Sequence, residues 1–94
     1  MTLAEFKASV TSGTPPGVGP ALLALWHDGR GEWNAAHELA QTVDDETGAW
    51  VHAYLHRKEG DIGNAGYWYG QAKQPPARGS LDAEWESIVT ALLR

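Results

Sequence analysis

Two histidines one helical turn apart, His52 and His56, stand with Glu59 in the run Gly48-Ala49-Trp50-Val51-His52-Ala53-Tyr54-Leu55-His56-Arg57-Lys58-Glu59. On a helix turning about 100° per residue, the three side chains fall within about 60° of one another, a narrow stripe over two turns. Imidazoles at i and i+4 have a recognised spacing for a divalent metal such as zinc, and a nearby carboxylate or third imidazole completes an open site. The same rings also suit a helix-packing surface that needs no cofactor, each giving an N–H to a backbone carbonyl or a carboxylate, with Glu59 as the partner. Arg57 and Lys58 project away from the stripe, which therefore faces inward. His37 is inward by its own helical wheel, where Trp33, Ala36, His37, Ala40 and Val43 share one face. His27 sits at the position equivalent to His56 in the repeat described below, so four imidazoles are candidates to converge.

A second constellation lies on the opposite face of the same segment. Trp50 and Tyr54, flanked by Arg57 and Lys58, form an aromatic and basic patch suited to an extended peptide, with Arg57 placed to grip a carboxylate. Flanking helices or a second subunit would cover the same rings.

These residues need helices to position them, and the punctuation of the chain supplies six. Thr2-Leu3-Ala4-Glu5 has the form of a capping box opening a first helix that Ser12-Gly13 ends. The Pro- and Gly-rich stretch Thr14 to Gly19 is a loop. Pro20 suits the first turn of a second helix, stopped at Asp28-Gly29-Arg30-Gly31. A third spans roughly Glu32 to Val43, and the acidic turn Asp44-Asp45-Glu46-Thr47 caps a fourth that runs to about Glu59. Gly60-Asp61 ends it and caps a fifth, Ile62 to Ala72, closed by Pro75-Pro76. Ser80 caps the last, whose buried stripe is Trp85, Ile88, Val89 and Leu92. In the fifth helix Gly63, Gly66 and Gly70 strip one face of side chains at a cost of up to about 1 kcal/mol each; a neighbouring helix is expected close against them, with a bound ligand as the alternative. No strand pattern occurs.

The second and third helices overlay the fourth and fifth at an offset of 29 residues: Ala24 matches Ala53, His27 matches His56, Gly31 matches Gly60 and Ala36 matches Ala65. Repetition of one helical hairpin is the mark of a stacked α-solenoid. The segment Ala53-Tyr54, Gly60-Asp61, Asn64-Ala65, Tyr69 and Ala72 resembles a tetratricopeptide repeat. The first hairpin keeps Ala24, Gly31 and Ala36 but has Ala40 at the aromatic position, and the offset is shorter than that family's roughly 34 residues. The resemblance implies two tandem hairpins, 20–43 and 47–73, between capping helices 2–11 and 80–94, with Trp50, Tyr54, Arg57 and Lys58 lining a groove. The run from Trp50 to Glu59 with Tyr67-Trp68-Tyr69 is also similar to short bacterial proteins of unassigned function.

Composition narrows the classes. A formal charge of −5 argues against nucleic acid as partner. No cysteine means no disulfide and no thiolate metal site, no apolar run approaches the roughly 20 residues of a membrane helix, and the amino terminus lacks a signal-peptide pattern. Gly13 to Gly19 holds no Gly-Lys-Ser or Gly-Lys-Thr and follows no strand, which excludes a phosphate loop. The expectation is a cytoplasmic all-α domain of about six helices. Its expected role is protein–protein interaction or self-association, as a homodimer, through Trp50, Tyr54, Arg57 and Lys58. The alternative is a metal- or small-ligand-binding protein, with enzymatic activity open, built on His52, His56 and Glu59 with His27 or His37.

Overall fold

The computed structural model describes residues 1–94 and contains six helices and no strand: α1 (Leu3–Ser12), α2 (Pro20–Gly29), α3 (Trp33–Gln41), α4 (Glu46–Lys58), α5 (Ile62–Ala72) and α6 (Leu81–Leu92). The start signals act as their chemistry dictates. Thr2 Oγ1 accepts from the Glu5 amide at 3.1 Å while the Thr2 amide donates to Glu5 Oε1 at 2.8 Å, closing the capping box. Asp45, Asp61 and Ser80 each accept from the amide three residues on, satisfying donors that the helix itself leaves unpaired.

Helix α4 is the axis of the molecule. It packs against α2, α3, α5 and α6, and every residue from Val51 to His56 is buried. The principal core combines Phe6, Leu25, Val51, Tyr54, Leu55, Ile88 and Val89 from four helices, all nearly sealed from solvent. Burying each such aliphatic or aromatic side chain contributes about 1.5–3 kcal/mol. Ala53, Ala65 and Tyr69 make a smaller cluster between α4 and α5. The alanines at helix crossings, Ala24, Ala36 and Ala53, are fully buried, which is why small residues recur there in the repeat.

One close approach fixes the link between α3 and α4. A Cβ at Gly48 would lie 2.0 Å from the Val43 carbonyl oxygen, so only glycine lets the acidic turn fold onto the start of α4. The glycine face of α5 behaves otherwise than expected. Nothing lies within 4 Å of the Cβ positions of Gly63, Gly66 and Gly70, because α5 packs along α4, reaches α6 through the Tyr69 side chain, and turns those glycines away from both. Tyr67 and Ile62 are exposed beside them. No helix is long and apolar enough to cross a membrane.

Candidate metal centre

The pairing of α3 with α4 brings His37 to His52 and His56. Each of the three offers a ring nitrogen, and these atoms all lie within 4.8 Å of one another. His37 Nε2 and His52 Nε2 are 3.2 Å apart. The His52 and His56 rings stack in parallel, 5.5 Å between centroids, as the i, i+4 spacing predicts, and the His37 ring stands edge-on to both. His52 and His56 are 6% and 8% exposed, and His37 is partly exposed at the edge of the cluster.

Two tryptophans wall it. Trp33 stacks on His37 at 4.9 Å, one turn apart on α3, and its indole N–H donates to the Leu55 carbonyl. Trp68, from α5, stacks on His52 at 4.2 Å. Glu59 completes the arrangement from behind: its Oε1 lies 2.6 Å from His56 Nδ1. With Nδ1 held by the carboxylate, Nε2 is the nitrogen of His56 left to bear a lone pair. A carboxylate on the far nitrogen of a histidine is the arrangement that orients metal-ligating imidazoles and raises their basicity.

The electrostatics favour neutral rings. Burial lowers the His52 pKa to about 4, with the charges of His37 and His56 adding to the effect. Burial, followed by repulsion from His56, also lowers that of His37. At neutral pH the His37 and His52 rings are therefore unprotonated, the state in which imidazoles coordinate metals.

His27 does not join them. It lies at the end of α2, where its Nδ1 pairs with Glu32 Oε1 at 2.7 Å and its ring meets Trp26 edge-on. The repeat places His27 and His56 at equivalent points of two hairpins, but α3, which packs against both α2 and α4, turns His37 toward His52 and His56.

The face bearing Trp50, Tyr54, Arg57 and Lys58 is engaged within the chain. Tyr54 is 2% exposed and donates to Asp28 Oδ2 at 2.8 Å. Lys58 pairs with Asp28 Oδ1 at 3.0 Å. Arg57 binds Glu84 Oε1 at 2.9 Å and the Gly79 carbonyl, and Glu84 also accepts from the Tyr69 hydroxyl. Half-buried Trp50 packs against both apolar clusters. Burial and the Asp28 charge raise the Tyr54 pKa, and burial with the Glu84 hydrogen bond raises that of Tyr69, so both phenols remain donors. The acceptors Asp28 and Glu84 lie on α2 and α6, far along the chain from their donors, and no local pattern marks them.

A cleft of about 520 Å³ has His52, Trp68, Gln41, Gln71 and the Asp44 to Glu46 turn among its lining residues, and neither His37 nor His56 lines it. No family model matches the chain, and no curated protein or solved structure matches it.

Proposed function

We propose that this protein binds a divalent transition metal, zinc by preference, through His37, His52 and His56, with Glu59 orienting His56. The observation that carries this is the convergence of three imidazole nitrogens from two helices, with His52 and His56 buried and His37 partly exposed. Zinc bound to nitrogen at about 2.0–2.1 Å in tetrahedral geometry sets its ligand atoms about 3.3 Å apart. The 3.2 Å between His37 Nε2 and His52 Nε2 is already that spacing. The remaining nitrogen separations lie within 4.8 Å. An all-nitrogen donor set suits zinc, copper or nickel over magnesium or calcium, which demand oxygen.

The test is Co²⁺ or Zn²⁺ titration of protein carrying no affinity tag. One equivalent should bind, Co²⁺ should give the intense visible bands of a four-coordinate ion, and His52→Gln or His56→Gln should abolish them. Absence of stoichiometric binding in folded protein sinks the proposal. A second role, self-association or protein capture, has support on a surface other than the anticipated one, since exposed Ile62 and Tyr67 flank the bare glycine face of α5. Sedimentation over a range of concentrations tests it, and a monomer throughout with no partner captured removes it.

A further inference from the structure

Helix α5 is the one helix of the six without an acidic, basic or histidine residue, in a chain that is 20% charged and carries −5 overall. Its inner side packs along α4 through Ala65 and Tyr69. Its outer side is open. Ile62 and Tyr67 are 65% and 59% exposed, two of the three large apolar side chains left in solvent. Between them lie Gly63, Gly66 and Gly70, which on a helix turning about 100° per residue share one narrow stripe. A glycine inside a helix costs stability relative to alanine, and within the monomer no close approach of another element offsets that cost.

Charge resumes at the two ends of α5 with opposite sign. Asp61 caps its start, and Lys73 follows its last residue. At about 1.5 Å per residue the two stand about 18 Å apart. Lys73 meets Glu46 at 3.0 Å, but both side chains are more than half exposed, and a pair of that kind holds its members weakly. An acid, an uncharged face and a base in this order are their own complement when reversed. A second copy laid antiparallel sets Asp61 of each chain near the partner's Lys73 and opposes the two helix dipoles favourably. A parallel copy sets like charge on like charge at both ends. The same reversal, about an axis near Gly66 and Tyr67, seats each Tyr67 ring on the bare backbone at the partner's Gly66. Two bodies of −5 repel, and α5 is the helix face on which they meet without adding like charge.

Resting on the self-association reading above, we propose that α5 is the contact face of a two-fold symmetric, antiparallel dimer of this chain. Ile62 and Tyr67 cover the glycine face, and Asp61 pairs with Lys73 at each end. One face of an 11-residue helix is smaller than the roughly 800 Å² per partner of a stable interface, so the dimer is transient, with a Kd of about 0.01–1 mM.

Sedimentation equilibrium from about 0.01 to 2 mM protein spans that range. A chelator is present throughout, so that no ion bridges two chains. Gly66→Gln places a helix-favouring side chain where the monomer has open space; it should keep or raise the melting temperature of dilute protein while weakening association by about tenfold or more. Lys73→Glu and Asp61→Lys chains should each self-associate about fivefold or more weakly than wild type, and their equimolar mixture, with acid facing base at both ends again, should return to wild-type affinity. Circular dichroism checks that each variant is folded, and Lys73→Glu, which leaves the Asp61 cap intact, decides the matter if Asp61→Lys is not. A dimer indifferent to Gly66→Gln or to Lys73→Glu overturns this inference and leaves self-association through another face standing. A monomer at every concentration removes both.

Discussion

Glu59 is where a structural histidine cluster and a metal centre part company. Its Oε1 lies 2.6 Å from His56 Nδ1, with the glutamate side chain 38% and the histidine side chain 10% exposed. If the pair only ties the end of α4, Glu59→Ala removes a half-exposed interaction of about 0.2–1 kcal/mol, and water replaces the lost acceptor. If the carboxylate orients a metal ligand, its loss frees the tautomer and ring angle of His56 and costs 10–100-fold in metal affinity, about 1.4–2.7 kcal/mol. The penalty to binding thus exceeds the penalty to folding. Glu59→Gln keeps an acceptor at the same reach without the charge and should fall between wild type and alanine. Competition for Zn²⁺ against a chromophoric chelator gives the affinities, and urea denaturation of the apo proteins gives the stabilities. A zinc Kd for Glu59→Ala within threefold of wild type would refute the reasoning, because an orienting carboxylate has to be felt by the ion.

The apo protein should lose stability as pH falls from about 6.5 toward 4. The folded pKa of His52 is depressed to about 4 from its ordinary 6.5, so over that interval the unfolded chain binds more protons. The loss comes to about 1–3 kcal/mol, and stability is flat with respect to this group above about pH 7. Urea midpoints between pH 7.5 and 5 measure it, and His52→Gln should remove most of the slope. Tyr54→Phe should destabilise by about 1–3 kcal/mol, since Asp28, 2% exposed, loses one of its two donors while staying buried; an unchanged urea midpoint contradicts this. Among the glycines the signs divide. Gly66→Ala, with open space at its Cβ, should stabilise the fold by up to about 1 kcal/mol, whereas Gly48→Ala, 2.0 Å from the Val43 carbonyl, should cost several times that or prevent folding. Thermal melts of the two variants check both directions.

Helix positions were legible because their determinants are local. The Thr2 capping box, the Asp45, Asp61 and Ser80 caps and the Pro20 start each act within one turn. The His52–His56 stack was legible for the same reason, being fixed by i, i+4 geometry alone. Proximity of His37 followed in part from its wheel, since Trp33, Ala36, His37 and Ala40 had to face the next hairpin, whereas the matching logic for His27 failed because position in a repeat does not specify which neighbour a hairpin end meets. The aromatic and basic face of α4 illustrates the other limit. From sequence, Tyr54, Arg57 and Lys58 look available to a ligand, but the carboxylates that hold them, Asp28 and Glu84, arrive from 26 to 30 positions away through tertiary packing. The α5 glycines mislead in the opposite sense, since a face without side chains signals close packing only where another element is at hand, and α5 packs along α4 with its glycine face turned to open space.

Packing and metal binding make different predictions for three imidazoles between two tryptophans. Burial opposes protonation of His37 and His52, and in the absence of metal the two offset that cost with one shared contact at 3.2 Å. When both partners of a buried hydrogen bond are replaced by apolar groups of similar size, the change is near neutral or stabilising. The double substitution His37→Leu/His52→Leu keeps side-chain volume close to native and should alter apo stability by no more than about 1 kcal/mol while flattening its dependence on pH between 6.5 and 5. Metal binding should vanish in the same protein. If instead the double variant loses about 3 kcal/mol or more, the imidazole contact is itself a structural requirement of the α3–α4 interface, and the reason for the cluster is the fold. If it folds as well as wild type and binds nothing, the histidines answer to a ligand, because a core of the same size is available without them.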